Sequence, residues 1–321
     1  MKYSVSSDSA VHSAGCVACP RACGGHRENG GLGVCGCPAD FRISRPALHR
    51  WEEPPISGTR GSGTVFFAGC SLRCVFCQNR SISLGGQGRP FSSEALIDAL
   101  FRLKDAGAQN INLVTPTHYA NALIPVLEKV RPSLGLPIVY NCGGYESVAT
   151  LRRLNGLIDI YLPDFKYVSS ELSGRYSSAP DYFTVAGAAV QEMYRQVGPA
   201  RFASEGSDVP HADEKAGDRM VRGLIVRHLV LPGGRKDSLA VLDALASLLP
   251  VKEIRLSLLR QFTCDFVDKN AFPELSRRLT TFEYDSVRKH AEPLGFLGYI
   301  QGHGSDSAAF TPSFNSPGDF L

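Results

Sequence analysis

The stretch Cys70-Ser71-Leu72-Arg73-Cys74-Val75-Phe76-Cys77 constrains this chain more than any other. It follows a short apolar run, Val65-Phe66-Phe67-Ala68, and Gly69. Spacings of three and two intervening residues let one loop curl its sulfurs around a single iron–sulfur cubane, and thiolate is the soft ligand such a cluster requires. Three ligands leave the fourth iron open. An electron-transfer cluster is normally closed by a fourth Cys, so the pattern points to a cluster that binds and transforms a small molecule. The competing readings are a zinc knuckle short of one ligand and buried thiols acting as small hydrophobes.

The rest of the composition is ordinary. With 321 residues, 43% hydrophobic and 20% charged, the chain suits one large α/β domain with extensions, and a net charge of +3 gives no reason to invoke nucleic acid. Met1 to Gly15 is polar and small, and no apolar run approaches membrane-spanning length, which sets the expectation of a cytoplasmic protein. In that setting the ten Cys are reduced thiols available to metals, and eight of them fall between Cys16 and Cys77.

The chain divides into three parts. Residues 1–60 are a Cys-rich metal-binding extension, with little periodicity from 16 to 60; residues 61–300 are the main domain; residues 301–321 are a Ser-, Gly- and Pro-rich flexible tail. Within the main domain six short apolar runs, 64–69, 111–114, 138–140, 158–162, 224–231 and 253–259, read as strands. Helical patterns alternate with them, one capped by Ser92, then 120–130, 147–155, 182–197 and 238–249, with a closing helix over 273–290. Residues 199–219, charged and small, read as poorly ordered. The alternation predicts a parallel sheet with right-handed crossovers, a partial (β/α)6 barrel of TIM-like type, with an open doubly wound sheet as the alternative. In either fold ligands bind at the C-terminal ends of the strands, where the Cys70–Cys77 loop lies.

The Cys-x3-Cys-x-Phe-Cys pattern after the first strand resembles the signature of radical S-adenosylmethionine enzymes. More narrowly, the run from Glu52-Glu53-Pro54-Pro55-Ile56-Ser57-Gly58 through Phe67-Ala68-Gly69-Cys70 to Cys77-Gln78-Asn79 resembles the pyruvate formate-lyase activating enzyme-like group. The resemblance implies a 4Fe-4S cluster on Cys70, Cys74 and Cys77, with S-adenosyl-L-methionine chelating the open iron. It further implies reductive cleavage of the sulfonium and hydrogen abstraction by a 5′-deoxyadenosyl radical, with flavodoxin or ferredoxin as a one-electron donor. The hydrogen donor implied is a glycine of a partner protein. A peptide, a nucleoside or a small metabolite is the second enzymatic reading, and a non-enzymatic iron–sulfur or zinc adaptor is a third.

Several residues near strand ends are candidates for contact with the cofactor. Asp164 and Lys166, two residues apart, point the same way if extended, and an Asp-x-Lys here is similar to one found near the cofactor in the activating enzymes; a surface ion pair is the competing reading. Thr115, in Thr115-Pro116-Thr117-His118, stands where many radical S-adenosylmethionine enzymes have Gly-Gly-Glu-Pro, and its hydroxyl and that of Thr117 offer acceptors to an ammonium. Asn141 is followed, after Cys142, by Gly143 and Gly144, which permit close approach of a ribose or peptide, while Cys142 itself reads as an inert thiol. Phe76 either packs on the adenine or excludes water from the cluster. His228, ahead of Pro232-Gly233-Gly234, is either a cofactor contact or a satisfied core His, and Gln261 is a weaker candidate. In the extension, Cys16, Cys19, Cys23 and Cys35 are four soft ligands for zinc or a second iron–sulfur cluster, with disulfides as the alternative.

Overall fold

The computed structural model describes residues 15–84, 88–204, 206, 207, 209–302 and 304. After the N-terminal cysteine segment, β1 (Phe41–His49) and α1 (Pro54–Ser57) lead into β2 (Ser62–Phe67). The cysteine loop and α2 (Arg80–Ser83) follow, then β3 (Arg89–Phe91), α3 (Ser93–Asp105), β4 (Ile111–Val114), α4 (Ala120–Leu134), β5 (Ile138–Cys142) and α5 (Val148–Arg153). Next come β6 (Ile160–Pro163), α6 (Ser170–Ser177), α7 (Tyr182–Val197), β7 (Arg201–Ala203) and β8 (Arg219–Leu229). The chain continues through α8 (Arg235–Leu248), β9 (Arg255–Leu259), α9 (Thr281–Leu294) and β10 (Gly298–Ile300).

One sheet runs in the order β10-β9-β8-β6-β5-β4-β2-β1-β3, with β7 attached to β8. Every neighbouring pair from β2 to β10 is parallel. The reason is visible in the strands: β2, β4, β5, β6 and β9 are buried along their whole length, as sheets covered by helices on both faces require. The helices bury the faces their periodicity marks. α3 begins where Ser92 Oγ accepts the Ala95 amide at 3.1 Å, and it buries Leu96, Leu100 and Leu103. α4 buries Leu123, Ile124, Leu127 and Val130. The fold is thus a mostly parallel α/β sheet, and among the described residues no pairing joins β10 to β3, so the arc stays open.

The structure differs from the sequence expectation in four places. β1 and β3 add an antiparallel edge beside β2, so the sheet takes in residues 41–49 and its limit does not fall near residue 60. Residues 199–219 contain β7, which pairs with β8, and a bridge from Phe202 to His211; burial of Phe202 and Met220 supplies the apolar contact that the charged composition hides. The helix expected over 273–290 is a short 3-10 turn at Pro273–Leu275 followed by α9, because Thr280 and Glu283 form a capping box that starts the helix at Thr281. β10 continues the parallel series beyond the sixth expected strand. Apart from residues 301, 302 and 304, the tail expected at 301–321 lies outside the described residues. Among the described residues no helix is long and apolar enough to cross a membrane.

Candidate cluster and cofactor site

The cysteine loop leaves the C-terminal end of β2, Thr115 follows β4, Asn141 closes β5, Asp164 follows β6 and Arg227 lies near the end of β8. Parallel pairing brings all these ends to one side, where they wall a cavity of about 220 Å³. Cys70, Cys74 and Cys77 line it together with Phe76, Thr115, Asn141, Asp164 and Lys166.

The three loop thiols fit a cluster by their donors. The Leu72 amide donates to Cys70 Sγ at 3.4 Å and Ser177 Oγ donates to Cys74 Sγ at 2.9 Å. The Asn79 amide points at Cys77 Sγ. Such bonds favour thiolate over thiol. Burial, with the neighbouring thiols, pushes Cys70 up to about 12, and the same causes push Cys77 up, so iron must displace their protons to bind. Among the described residues no three His, Cys, Asp or Glu side chains stand close enough to share one ion. A cubane makes no such demand, because each of its thiolates takes a different iron. Arg73, inside the loop, holds a left-handed φ of 53°, and Gly69 just before it has φ 84°.

Opposite the loop stands an ionic lattice. Arg227 Nε donates to Asp164 Oδ1 at 2.9 Å, Lys166 Nζ to Asp164 Oδ2 at 2.5 Å, and Arg227 also donates to Asn141 Oδ1. Glu52 Oε1 accepts from Asn112 Nδ2 at 2.9 Å, and Glu52 Oε2 lies 3.5 Å from Arg227 Nη1. Burial raises the Asp164 carboxyl, but the charges of Arg227 and Lys166 outweigh it and hold Asp164 below the ordinary value. For Glu52 burial wins over Arg227, and its carboxyl is raised. Asp164 and Lys166 are therefore a half-buried pair lining the cavity and tied to Arg227, which is more than an isolated surface pair.

A second acidic group faces the cavity without a cation. Glu146 accepts from Thr117 Oγ1 at 2.6 Å and from the Tyr140 hydroxyl at 3.1 Å, and it is 2% exposed. Burial lifts it to about 7, against the bonds from Thr117, Tyr140 and the Cys142 thiol. Cys142 is occupied by that carboxyl, and burial keeps it protonated. Thr115 carries a φ of 59°, a costly conformation for a β-branched residue, and its amide is fixed by the Asn141 carbonyl at 2.8 Å. The loops after β5 and β6 are joined by one hydroxyl: Tyr182 donates to the carbonyls of Gly143 and Asp164 at 2.8 and 2.9 Å and accepts the Lys166 amide at 3.0 Å. Gly144, at φ 79°, comes so close that a Cβ there would lie 2.0 Å from the Asp164 carbonyl.

One expected contact lies elsewhere. His228 is absent from this cavity because successive strand residues point to opposite faces, and Arg227 takes the inward position. It lines an adjoining cavity of about 100 Å³ that shares Lys166 and Leu229 with the first. There its Nδ1 is bonded to the Phe165 carbonyl at 2.7 Å, Nε2 has no partner, and burial lowers it to about 4. His118 binds the Ala68 carbonyl through Nε2 at 2.8 Å and lines a different cavity, beside Cys16 and Arg27. Phe76 packs against Tyr176 and Phe262, and Gln261 lines the cavity as expected. Glu52, Glu146 and Arg227 are the residues that sequence reasoning missed.

Residues 57–173 match a family model described as a 4Fe-4S single cluster domain. An uncharacterized protein of Methanocaldococcus jannaschii is 29% identical over 179 residues, covering 53% of this chain and 51% of that protein. The chain thus spans about half the length of the curated relative it matches. Among solved structures, a radical SAM methyltransferase from Sphaerobacter thermophilus is similar with a TM-score of 0.47 and 14% identity over 76% of this chain and 68% of that one. Streptococcus suis SuiB bound to precursor peptide SuiA gives a TM-score of 0.49 and 10% identity over 83% and 49%. The matched 4Fe-4S family model covers β2, the cysteine loop and the strand ends up to Lys166.

Proposed function

We propose that this chain is a radical S-adenosylmethionine enzyme, with its cluster on Cys70, Cys74 and Cys77 and S-adenosylmethionine in the adjoining cavity. Held by Cys70, Cys74 and Cys77, the cluster would supply the single electron needed for reductive cleavage of the cofactor's sulfonium, and so radical hydrogen abstraction from substrate. The observation that carries the reading is the meeting of a three-thiol loop with charges of both signs in one cavity. S-adenosylmethionine is itself a mixture of ammonium, carboxylate and sulfonium, so a wall of one sign would not suit it.

The chain's own residues divide the work. Glu146, a carboxyl without a cation, accepts the ammonium, in company with the hydroxyls of Thr115 and Thr117. Lys166 and Arg227 hold Asp164 ionised at the cavity wall, where its carboxylate faces ribose hydroxyls or the sulfonium. Asn141 is oriented by Arg227. His228 is neutral, with its proton on Nδ1 toward the Phe165 carbonyl, so Nε2 is a free acceptor in the smaller cavity beside Lys166. Leu72 and Phe76 exclude water around the loop thiols.

For the hydrogen donor we take a glycine of a partner protein, on the strength of the resemblance to the activating enzymes, with a flavodoxin- or ferredoxin-type electron donor. Anaerobically reconstituted protein, reduced with dithionite, is expected to release 5′-deoxyadenosine from S-adenosylmethionine, and Cys74→Ala to abolish release. A fully loaded cluster without release overturns the reading in favour of an iron–sulfur adaptor. A glycyl-radical signal by electron paramagnetic resonance with a candidate partner supports the activase type; its absence with 5′-deoxyadenosine still formed redirects the substrate to a peptide, nucleoside or small metabolite.

A further inference from the structure

The cysteine segment before β1 has, among the described residues, no regular structure beyond a 3-10 turn at Arg27–Asn29, yet it folds into a defined knot. The Cys16 amide bonds the Gly25 carbonyl at 3.1 Å and the Gly24 amide returns to the Cys16 carbonyl at 3.3 Å, closing a loop that carries Cys19 and Cys23. The knot is held on the main domain by Arg21, whose Nε donates to the Ser71 carbonyl at 2.8 Å, and by Thr150 Oγ1, which donates to the Ala18 carbonyl at 3.0 Å.

The thiols of this knot converge. A Cβ placed on Gly33 would lie 3.2 Å from Cys23 Sγ and 3.4 Å from Cys35 Sγ, so both sulfurs converge on this glycine and a larger residue would crowd them. Cys16 Sγ lies 3.7 Å from Arg27 Nη1, and the Arg27 side chain also runs against Gly33. Backbone amides point at the sulfurs: those of Val34 and Gly25 at Cys23, and that of Arg21 at Cys19. Cys37 is committed elsewhere, its thiol donating to the Ala68 carbonyl at 3.1 Å.

Arg27 supplies the independent observation. It is 7% exposed, and its donors go to the carbonyls of Cys37, His118 and Pro38 and to Cys16 Sγ. Among the described residues no carboxylate pairs with it. A buried guanidinium without an anion is strongly unfavourable; the Tyr119 ring, 5.3 Å below it, is neutral, and the groups within reach that ionise most readily are the thiols of Cys16 and Cys35. Four thiolates on a divalent ion, or on a cubane, carry net negative charge and supply what Arg27 lacks.

We propose that Cys16, Cys19, Cys23 and Cys35 form a second, four-thiolate metal centre whose negative charge is balanced by buried Arg27. The four do not stand at single-ion spacing; zinc must draw them together, whereas an iron–sulfur cubane takes them further apart. The centre also braces the first site, since the Cys35 carbonyl accepts the Cys70 amide at 3.3 Å.

The test uses the full chain with Cys70→Ala, Cys74→Ala and Cys77→Ala combined, purified anaerobically and analysed for zinc, iron and sulfide. About one zinc, or about four iron with matching sulfide, supports the proposal, and the ratio identifies the metal. Less than roughly a tenth of an equivalent of either overturns it. Adding Cys19→Ala is expected to remove the metal at least about tenfold, and adding Cys37→Ala to leave it. Should the combined variant not fold, unsubstituted protein gives a second measurement. Exposed Cys23 is expected to resist iodoacetamide until a chelator is added; immediate alkylation, or a disulfide within the four found by mass spectrometry, overturns the proposal. None of these readouts involves S-adenosylmethionine, so the second centre and the proposed enzymatic function fail independently.

Discussion

Replacing Glu146 by Gln removes a carboxyl that the fold keeps out of water. In the native state burial lifts this group to about 7 from its ordinary 4.5, so the folded chain holds the proton more tightly than the unfolded chain does. Below the unfolded value both states are protonated and nothing is lost. As pH rises through the interval the native state alone resists ionisation, and stability falls until the folded value is passed. At about 1.4 kcal/mol per pH unit of that interval, ionised Glu146 costs the fold about 3 kcal/mol above pH 7. Gln keeps an acceptor for Thr117 and a partner for the Tyr140 hydroxyl but has no charge to bury. Glu146→Gln is therefore expected to match the parent near pH 4.5 and to exceed it by about 3 kcal/mol at pH 8. Urea denaturation of metal-free protein, followed anaerobically by circular dichroism across this range, reads the difference. A difference that does not grow with pH refutes the reasoning. The same variant is expected to bind S-adenosylmethionine more weakly, because a neutral amide attracts an ammonium less than a carboxylate does.

The remaining predictions concern the loop, the lattice and the supports. Cys74→Ala is expected to lose the iron and the broad visible absorbance of the reconstituted cluster, as iron analysis checks. Asp164→Asn takes the carboxylate from Lys166, leaves Arg227 with Glu52 alone, and is expected to cost about 3 kcal/mol in urea denaturation and to weaken S-adenosylmethionine in equilibrium dialysis. Gly144→Ala forces a Cβ into the Asp164 carbonyl at a left-handed φ and is expected to destabilise by more than about 3 kcal/mol, read as a fall in the urea midpoint. Thr280→Ala opens the capping box of α9 and is expected to cost about 1 kcal/mol without changing cluster content.

The parallel sheet was legible because its strands are short, continuous apolar runs, and β4 occupies the residues its pattern marks. β1 was hidden by Arg42, Arg45 and Pro46, which read as loop; its pairing with β2 depends on burying Phe41, Ile43 and Ala47, a contact with no local signal. At the site, the polar residues just after apolar strands, Thr115, Asn141, Asp164 and Lys166, were picked out by position and by resemblance, and the fold brings them to one cavity. Arg227 was passed over for its neighbour His228, although strand alternation allows only one of the two to face a given cavity. Glu146 gave no signal, because a Glu after two glycines looks like a surface turn until Thr117 and Tyr140 are seen to enclose it. Glu52 was visible as part of a motif, and only the folded chain shows it reaching Arg227.

The ionic lattice and the cysteine loop differ in how far along the chain they must reach. The loop closes within eight residues, Cys70 to Cys77, whereas Arg227 meets Asp164 across 63 positions and Glu52 across 175. Chain closure over such separations is entropically slow, so the thiols gather while the charged wall is still dispersed. A chain emerging from the ribosome thus presents its cluster ligands before the cavity that shields them exists. That order is set by topology, and it holds until Arg227 has been made.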